Sequence, residues 1–179
     1  DQSFAVGYQV TDKDGDTASG ILGIRVNDDT PTATRNAMVH LDDDALAGGN
    51  PGGVDDHSPD TSNTSGVLSH SFGADGAQTT GAISWLTSGA PAGLTYEASG
   101  DDLLVKQGAV TVLTLTLDSA TGAYTVTQNA AISHTAGSDE NDQNLTVSYQ
   151  VIDSDGDPIT GELNLRINDD TPIVMRNAL

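Results

Sequence analysis

Three aspartates alternate with other residues in a short segment that the sequence contains twice. Each copy reads DxDGD, and the acidic residues of the two copies are Asp12, Asp14, Asp16, Asp153, Asp155 and Asp157. Ionised carboxylates at this spacing repel one another unless a cation lies between them. Ca²⁺ accepts about six to eight oxygen ligands with flexible geometry, whereas Mg²⁺ requires a stricter octahedron. The pattern therefore predicts calcium-binding loops.

More aspartates lie in segments that flank the central part of the chain. The motif NDDTP follows each DxDGD copy, and the motif LDDDAL lies between the copies. The additional candidate metal ligands are Asp28, Asp29, Asp42, Asp43, Asp44, Asp169 and Asp170. We expect a cation held between NDD and DDD to clamp adjoining modules, and the alternative is a solvated acidic linker. Asp75 and the acidic residues of SDEND (138–142) are expected to be turn or solvated residues rather than ligands.

The DxDGD loop differs from an EF-hand in the positions of its glycine and glutamate. An EF-hand loop of about 12 residues requires a glycine near its middle and a glutamate at its end. Here Gly15 is already the fourth loop residue, and Gly23 and Asn164 stand where the final glutamate would be. A metal-free hairpin tip is the alternative, because Asp and Gly are ordinary turn residues. The presence of two copies favours calcium.

The excess of acidic over basic residues argues against some classes of binding partner. The sequence contains 26 acidic and 6 basic residues, for a formal net charge of −20. Nucleic acid is therefore not expected as a partner, because phosphate contacts require Lys and Arg. Anionic membrane surfaces are disfavoured for the same reason, and no apolar run approaches the ~20 residues of a membrane span. Since the sequence has no cysteine, a bound cation is the more plausible stabiliser.

The loops are positioned by segments in which apolar and polar residues alternate, which is typical of half-buried β-strands. The alternating apolar residues beside the DxDGD loops are Phe4, Val6, Tyr8, Val10, Leu22, Ile24, Val26, Leu145, Val147, Tyr149, Val151, Leu163, Leu165 and Ile167. Further candidate strands are 67–72, 82–86, 103–106, 110–117 and 123–127. Short strands with Gly-rich turns predict an all-β antiparallel sandwich. We expect residues 42–66 to form a long irregular segment.

The chain repeats itself at an offset of 141 residues. Residues 8–31 and 149–172 are identical at 15 of 24 positions. This period is far longer than the about 20–50 residues of solenoid repeats, so it indicates successive domains. We therefore predict the closing β-hairpin of a preceding or split module at 1–33, a full β-sandwich module at 34–172, and a linker or the start of a further repeat at 173–179.

Other side chains that could carry chemistry have simpler interpretations. The four histidines show no paired zinc spacing, and His134 is assigned to a turn. The sequence contains neither a cysteine nucleophile nor a GxSxG motif, so we do not expect an enzyme. Trp85 lies among apolar residues, which favours a core position over a platform for a sugar ligand.

Three features resemble the long repeat of giant bacterial RTX adhesins that are exported by type I secretion. They are FGADG (72–76), the segment SHTAGSDENDQNLTVSYQVIDSDGDPITGELNLRINDDTP (133–172), and the 141-residue spacing. The resemblance covers essentially the whole chain. It implies an immunoglobulin-like β-sandwich that folds and stiffens on extracellular Ca²⁺. In some of these adhesins an inserted ligand-binding domain splits a related module, which would account for a separate hairpin at 1–33.

Together these observations predict a non-catalytic, calcium-stabilised extender module of a large bacterial cell-surface adhesin that supports adhesion and biofilm formation. Its expected partners are neighbouring modules of the same chain. We expect a monomer outside the cell, with no nucleic acid bound and no membrane insertion. The alternative is a ligand-binding module for host or biofilm surface glycans or proteins, or a split scaffold that presents such a module.

Overall fold

A computed structural model describes residues 2–137 and 140–174. The acidic residue Asp139 and the predicted linker residues 175–179 lie outside the described residues. Thirteen β-strands and no α-helix occur in the described part, so the all-β prediction is confirmed. No helix that could cross a membrane is found there either.

The chain divides into two compact units, Asp1–Thr30 and Pro31–Leu179, which we call unit 1 and unit 2. Unit 1 is an antiparallel hairpin of strands β1 (Gln2–Thr11) and β2 (Thr17–Val26). The DxDGD loop forms its turn. The alternating apolar side chains on one face of the hairpin are 41–57% exposed, and they are Phe4, Val6, Tyr8, Val10, Leu22, Ile24 and Val26.

Unit 2 contains the other strands. They are β3 (Thr32–Ala33), β4 (Val39–Asp42), β5 (Ser65–Val67), β6 (His70–Ser71), β7 (Ile83–Trp85), β8 (Thr95–Ser99), β9 (Asp102–Gln107), β10 (Val110–Leu117), β11 (Ala123–Gln128), β12 (Asp142–Ile152) and β13 (Pro158–Asn168). One sheet has the order β5-β11-β10-β9-β8, the other has the order β4-β13-β12-β7, and β3 pairs with β6. The two larger sheets form a β-sandwich.

The core of the sandwich is built from the inward faces of both sheets. Alternation along β12 buries Leu145, Val147, Tyr149 and Val151, each no more than 2% exposed. These residues are the counterparts, 141 positions later, of Phe4, Val6, Tyr8 and Val10 in unit 1. The same alternating pattern therefore forms a buried face in unit 2 and an exposed face in unit 1.

An aromatic pair joins the edge strand β7 to β12 in the four-stranded sheet. Trp85 is 8% exposed and meets the Tyr149 ring edge to face, with the ring centroids 6.3 Å apart. The Tyr149 hydroxyl donates to the Ser69 carbonyl at 2.8 Å, and Asn36 Nδ2 donates to that hydroxyl at 3.1 Å. The predicted core position of Trp85 is confirmed, and its indole face is not available as a ligand platform.

The entry and exit of unit 2 lie at opposite ends of β13. Near the entry, Asn36 Nδ2 donates to the Glu162 carbonyl, close to the start of that strand. The exit follows Asn168, the last residue of β13. Since a strand rises about 3.3 Å per residue, these points are separated by about 20 Å. The chain thus enters unit 2 at one end of the sandwich and leaves at the other.

Candidate metal centres

Three aspartates gather at the exit end of unit 2. One carboxylate oxygen each from Asp42, Asp44 and Asp56 lies within 4.8 Å of the other two. Asp42 is fully buried and Asp44 is 8% exposed. Glu140, 4% exposed, is close enough to interact with their charges. We call Asp42, Asp44, Asp56 and Glu140 the buried acid cluster.

The cluster is assembled from three segments of unit 2. Strand β4 pairs with β13 in parallel as far as Asp42, and Asp42 Oδ1 then accepts a hydrogen bond from the Asp44 N–H at 3.1 Å. Asp56 is supplied by the loop between β4 and β5, and Glu140 by the segment before β12. The Glu140 N–H donates to the Val54 carbonyl at 3.4 Å, which joins these two segments.

Each member of the buried acid cluster has an oxygen that is buried and has no hydrogen-bond partner within the described part of the chain. These atoms are Asp42 Oδ2, Asp44 Oδ1, Asp56 Oδ1 and Glu140 Oε2. An ionised carboxylate that is buried without compensation is strongly unfavourable. Convergent carboxylate oxygens are the ligands that Ca²⁺ prefers. The residues therefore fit a hard divalent cation.

The electrostatics of the cluster lead to the same conclusion. Burial, together with the nearby charges of Asp44 and Glu140, raises the pKa of Asp42 to about 7. Burial is also the main cause that raises the pKa of Asp44 and of Glu140 above their ordinary values. Without a cation, the folded chain can bury these carboxyl groups only when protons neutralise some of them. A bound cation would remove that requirement.

The second DxDGD loop forms another acidic group at the opposite end of the same sheet. Asp153 Oδ1 accepts hydrogen bonds from the N–H groups of Gly156, at 3.1 Å, and Asp157, at 2.7 Å. Asp153 is fully buried, and its Oδ2 has no hydrogen-bond partner among the residues described. Asp75 and Asp155 each place an oxygen within 4.8 Å of a carboxylate oxygen of Asp153. Asp75 was expected to be a turn residue, and the structure adds it to this group.

The first DxDGD loop has the same local hydrogen bonding. In unit 1, Asp12 Oδ1 accepts from the N–H groups of Gly15, at 3.0 Å, and Asp16, at 2.8 Å. Oxygens of Asp12, Asp14 and Asp16 lie within 4.8 Å of one another, and all three residues are exposed. Hydrogen bonding, first with the Asp14 side chain, keeps the pKa of Asp12 below its ordinary value. Because its three aspartates are exposed, this loop lacks the burial that marks Asp153 in the second loop.

Two of the remaining candidates meet a histidine. Oxygens of Asp43 and Asp169 lie near the ring of His134 within unit 2. Asp170 Oδ1 instead accepts a hydrogen bond from the Asn50 N–H at 3.1 Å. The second NDD motif and the DDD motif therefore lie at the same end of one sandwich.

The first NDD motif lies at the end of unit 1. Asp28 and Asp29 follow β2, and Asp29 Oδ1 accepts a hydrogen bond from the Thr30 N–H at 3.0 Å. A cation clamp between adjoining modules stays a prediction.

Sequence reasoning missed three contributors to these centres. Glu140 was expected to be a turn or solvated residue rather than a ligand; it lies in a bend, and its side chain is buried. Asp56 lies in the predicted irregular segment, and nothing local distinguishes it from neighbouring acids. His134 was assigned to a turn, yet its side chain is only 3% exposed. In the sequence, the one feature that pointed to these three residues was their position in acidic or polar loops between strands.

Comparison with known proteins identifies a family but no activity. A family described as a domain of unknown function, DUF5801, matches residues 26–166. This match spans most of the chain, and the chain belongs to that family. No curated protein and no solved structure matches the chain.

Proposed function

We propose that this chain is a non-catalytic, calcium-stabilised extender module of a large bacterial cell-surface adhesin. The observation that carries the proposal is the buried acid cluster at the exit of the sandwich, in which four carboxylate oxygens have no hydrogen-bond partner among the described residues. Ca²⁺ would be held by Asp42, Asp44, Asp56 and Glu140. A bound ion supplies the positive charge that the cluster lacks.

The chain's own residues prepare this cluster. The Asp44 N–H fixes one oxygen of Asp42, and the Thr171 hydroxyl donates to Glu140 Oε1 at 3.2 Å. Asp42 Oδ2 and Glu140 Oε2 are buried and have no hydrogen-bond partner among the described residues. Because strand β4, the β4–β5 loop and the segment before β12 each contribute a carboxylate, an ion would join three parts of unit 2. Binding only to the folded form stabilises that form by mass action.

The path of the chain supports a mechanical role. Unit 2 is entered and left at opposite ends of β13, so successive modules of this kind would extend a chain rather than fold it back. Cations near the exit would stiffen the segment that leads to the next module. We propose neighbouring modules as the main partners, in a monomeric chain outside the cell that supports adhesion and biofilm formation.

Calcium dependence also suits a protein exported unfolded. Where free Ca²⁺ is scarce, repulsion among the carboxylates opposes folding. At millimolar Ca²⁺ outside the cell, the ions bind and the module folds. This sequence of events is the function we propose for the excess of acidic residues, and type I secretion is the export route that it fits.

The proposal is tested by replacing Asp42 with Asn, which keeps the shape of the side chain and removes one charge. We expect the Asp42→Asn chain to bind at least one Ca²⁺ fewer than the wild type in equilibrium dialysis at millimolar Ca²⁺. Glu162→Gln is the matched control, because Glu162 is an exposed acid on β13. It should bind as many ions as the wild type.

Equal ion counts for Asp42→Asn and the wild type would refute the assignment of the cluster. A glycan array probed in the presence of Ca²⁺ separates the extender from the ligand-binding alternative. The extender should give no saturable binding on the array, whereas saturable binding to a defined glycan would support the alternative.

A further inference from the structure

A buried histidine lies between two carboxylates beside the buried acid cluster. The side chains of His134 and Asp43 are each 3% exposed, and that of Asp169 is 28% exposed. Neither ring nitrogen of His134 has a hydrogen-bond partner among the described residues. A polar ring buried to this extent is normally hydrogen-bonded, but the Asp43 and Asn141 side chains that interact with it do not meet the geometry of a full hydrogen bond.

The distances leave room for an ion between these groups. His134 Nε2 is 3.4 Å from Asp43 Oδ2 and 3.9 Å from Asp169 Oδ1. Zn²⁺ binds nitrogen and carboxylate oxygen at about 2.0–2.2 Å in a tetrahedron, which places its ligand atoms about 3.3–3.6 Å apart. The two measured separations are close to this spacing, and the second is too long for a hydrogen bond.

Hydrogen bonds hold Asp43 in place. The Ile132 N–H donates to Asp43 Oδ2 at 3.1 Å, and Gln128 Nε2 donates to Asp43 Oδ1 at 2.5 Å. The Asp43 N–H donates to the Asn168 carbonyl at 3.1 Å. Such contacts orient a carboxylate ligand before a metal arrives.

The same backbone that builds the buried acid cluster separates Asp43 from it. Strand β4 ends at Asp42, and the chain bends at Asp43 and turns at Asp44. Asp42 and Asp44 contribute to one group, while Asp43, between them, contributes to another. The two groups also differ in chemistry, since only the group around Asp43 contains a nitrogen ligand.

We propose that Asp43, His134 and Asp169 form a second metal site, which binds a divalent transition-metal ion of the Zn²⁺ type. Imidazole nitrogen suits Zn²⁺ and its neighbours, whereas Ca²⁺ takes oxygen ligands. Three protein ligands leave a fourth position for water or for a group from another molecule. This site is independent of the calcium function proposed above, because it shares no ligand with the buried acid cluster.

The competing occupant is a proton. Although burial opposes it, the neighbouring carboxylates Asp43 and Asp169 raise the pKa of His134 above its ordinary value. An imidazolium ion bridging two carboxylates would need no metal. The experiment must therefore distinguish a metal from a proton at the same ring.

Zn²⁺ titration calorimetry on the full chain, with Ca²⁺ at saturating concentration, makes this distinction. We expect one Zn²⁺ site in the wild type. Losing an outer-shell partner lowers metal affinity about 10- to 100-fold, and His134→Gln should lower the Zn²⁺ affinity by more than that, because it removes a ligand. His57→Gln is the control for histidine content, because the His57 side chain is 41% exposed and lies outside this group. That variant should bind Zn²⁺ as the wild type does.

Two outcomes would overturn the proposal. One is equal Zn²⁺ affinity in His134→Gln and the wild type, and the other is no Zn²⁺ binding by the wild type, which would leave the imidazolium bridge as the occupant. Should His134→Gln fail to fold, the visible spectrum of the wild type with Co²⁺ decides. Intense tetrahedral bands that Zn²⁺ displaces support the site, and a spectrum unchanged from aqueous Co²⁺ refutes it.

Discussion

At the scale of single residues, the acids of this chain divide by burial rather than by sequence motif. Asp12 and Asp153 occupy equivalent positions and make equivalent loop hydrogen bonds, but Asp12 is exposed and Asp153 is fully buried. The motif determines the local turn in both cases. Whether the carboxylate needs a cation depends on the rest of the sandwich.

The raised pKa values in the buried acid cluster predict how stability depends on pH. The pKa of Asp42 rises from 3.8 to about 7, so between these values the folded chain keeps a proton that the unfolded chain has lost. Stability of the metal-free protein must therefore fall as pH rises through this interval. The raised pKa values of Asp44, Glu140 and His134 act in the same direction.

We accordingly expect the melting temperature in EDTA to be higher at pH 5 than at pH 8. Saturating Ca²⁺ should reduce this difference, because the ions take over the neutralisation that protons provide. Thermal melting followed by circular dichroism at both pH values, with and without Ca²⁺, measures this difference in melting temperature. A metal-free melting temperature that increases between pH 5 and pH 8 would contradict the electrostatic interpretation.

The residues of the site could be predicted only in part. The aspartates were recognisable because they repeat and cluster in sequence. Glu140, Asp56 and His134 were not, because they reach the exit end of the sandwich through loops whose paths depend on tertiary packing. No local pattern reports that a loop carboxylate or imidazole will be buried.

At the scale of the elements, the two hairpins provide a natural comparison. Gly161 lies opposite Tyr149, and Gly20 lies opposite Tyr8, in the same register. A methyl group added at either glycine would come within 2.8 Å of the tyrosine Cε1. Tyr149 is completely buried, whereas Tyr8 is 56% exposed.

This comparison predicts unequal effects of the same substitution. Gly161→Ala should destabilise unit 2 by about 1–3 kcal/mol, because the buried tyrosine ring cannot move away from the added methyl group. Gly20→Ala should cost much less, since the exposed Tyr8 ring can rotate into solvent. Urea unfolding of both variants in Ca²⁺ checks the difference, and equal losses of stability would show that the burial of Tyr149 is not the cause.

Most strands were predictable, but β3, β4 and β8 were not, and β3 has only two residues. Strand β10 coincides with the predicted segment 110–117, because its residues alternate and turn signals flank it. Strand β4 was missed since it has four residues and pairs in parallel with β13, so no hairpin turn marks it. Strand β8 was missed because Tyr96 is its only buried residue.

The repeat places the start of a full module at residue 34, and this boundary stays a prediction. The compact unit 2 begins at Pro31, three residues before the predicted start at 34, because β3 pairs with β6 within that unit. The register of β1 with β2 recurs in β12 with β13.

At the scale of the whole molecule, a net charge of −20 opposes folding through repulsion. Monovalent salt screens exposed charges over a distance of about 10 Å, but it acts much less on buried ones. Several of the acids that matter here are buried, among them Asp42, Glu140 and Asp153. Their neutralisation therefore requires ions that bind at specific sites.

The most direct test of this account is scanning calorimetry of the chain after exhaustive dialysis against EDTA, and again in millimolar Ca²⁺ at constant ionic strength. A site occupied at a hundredfold excess over its Kd stabilises the folded state by about 2.7 kcal/mol. For a unit of this size, we expect each such site to raise the melting temperature by about 5 to 10 °C. Identical melting temperatures with and without Ca²⁺ would contradict the central claim that bound cations stabilise this fold.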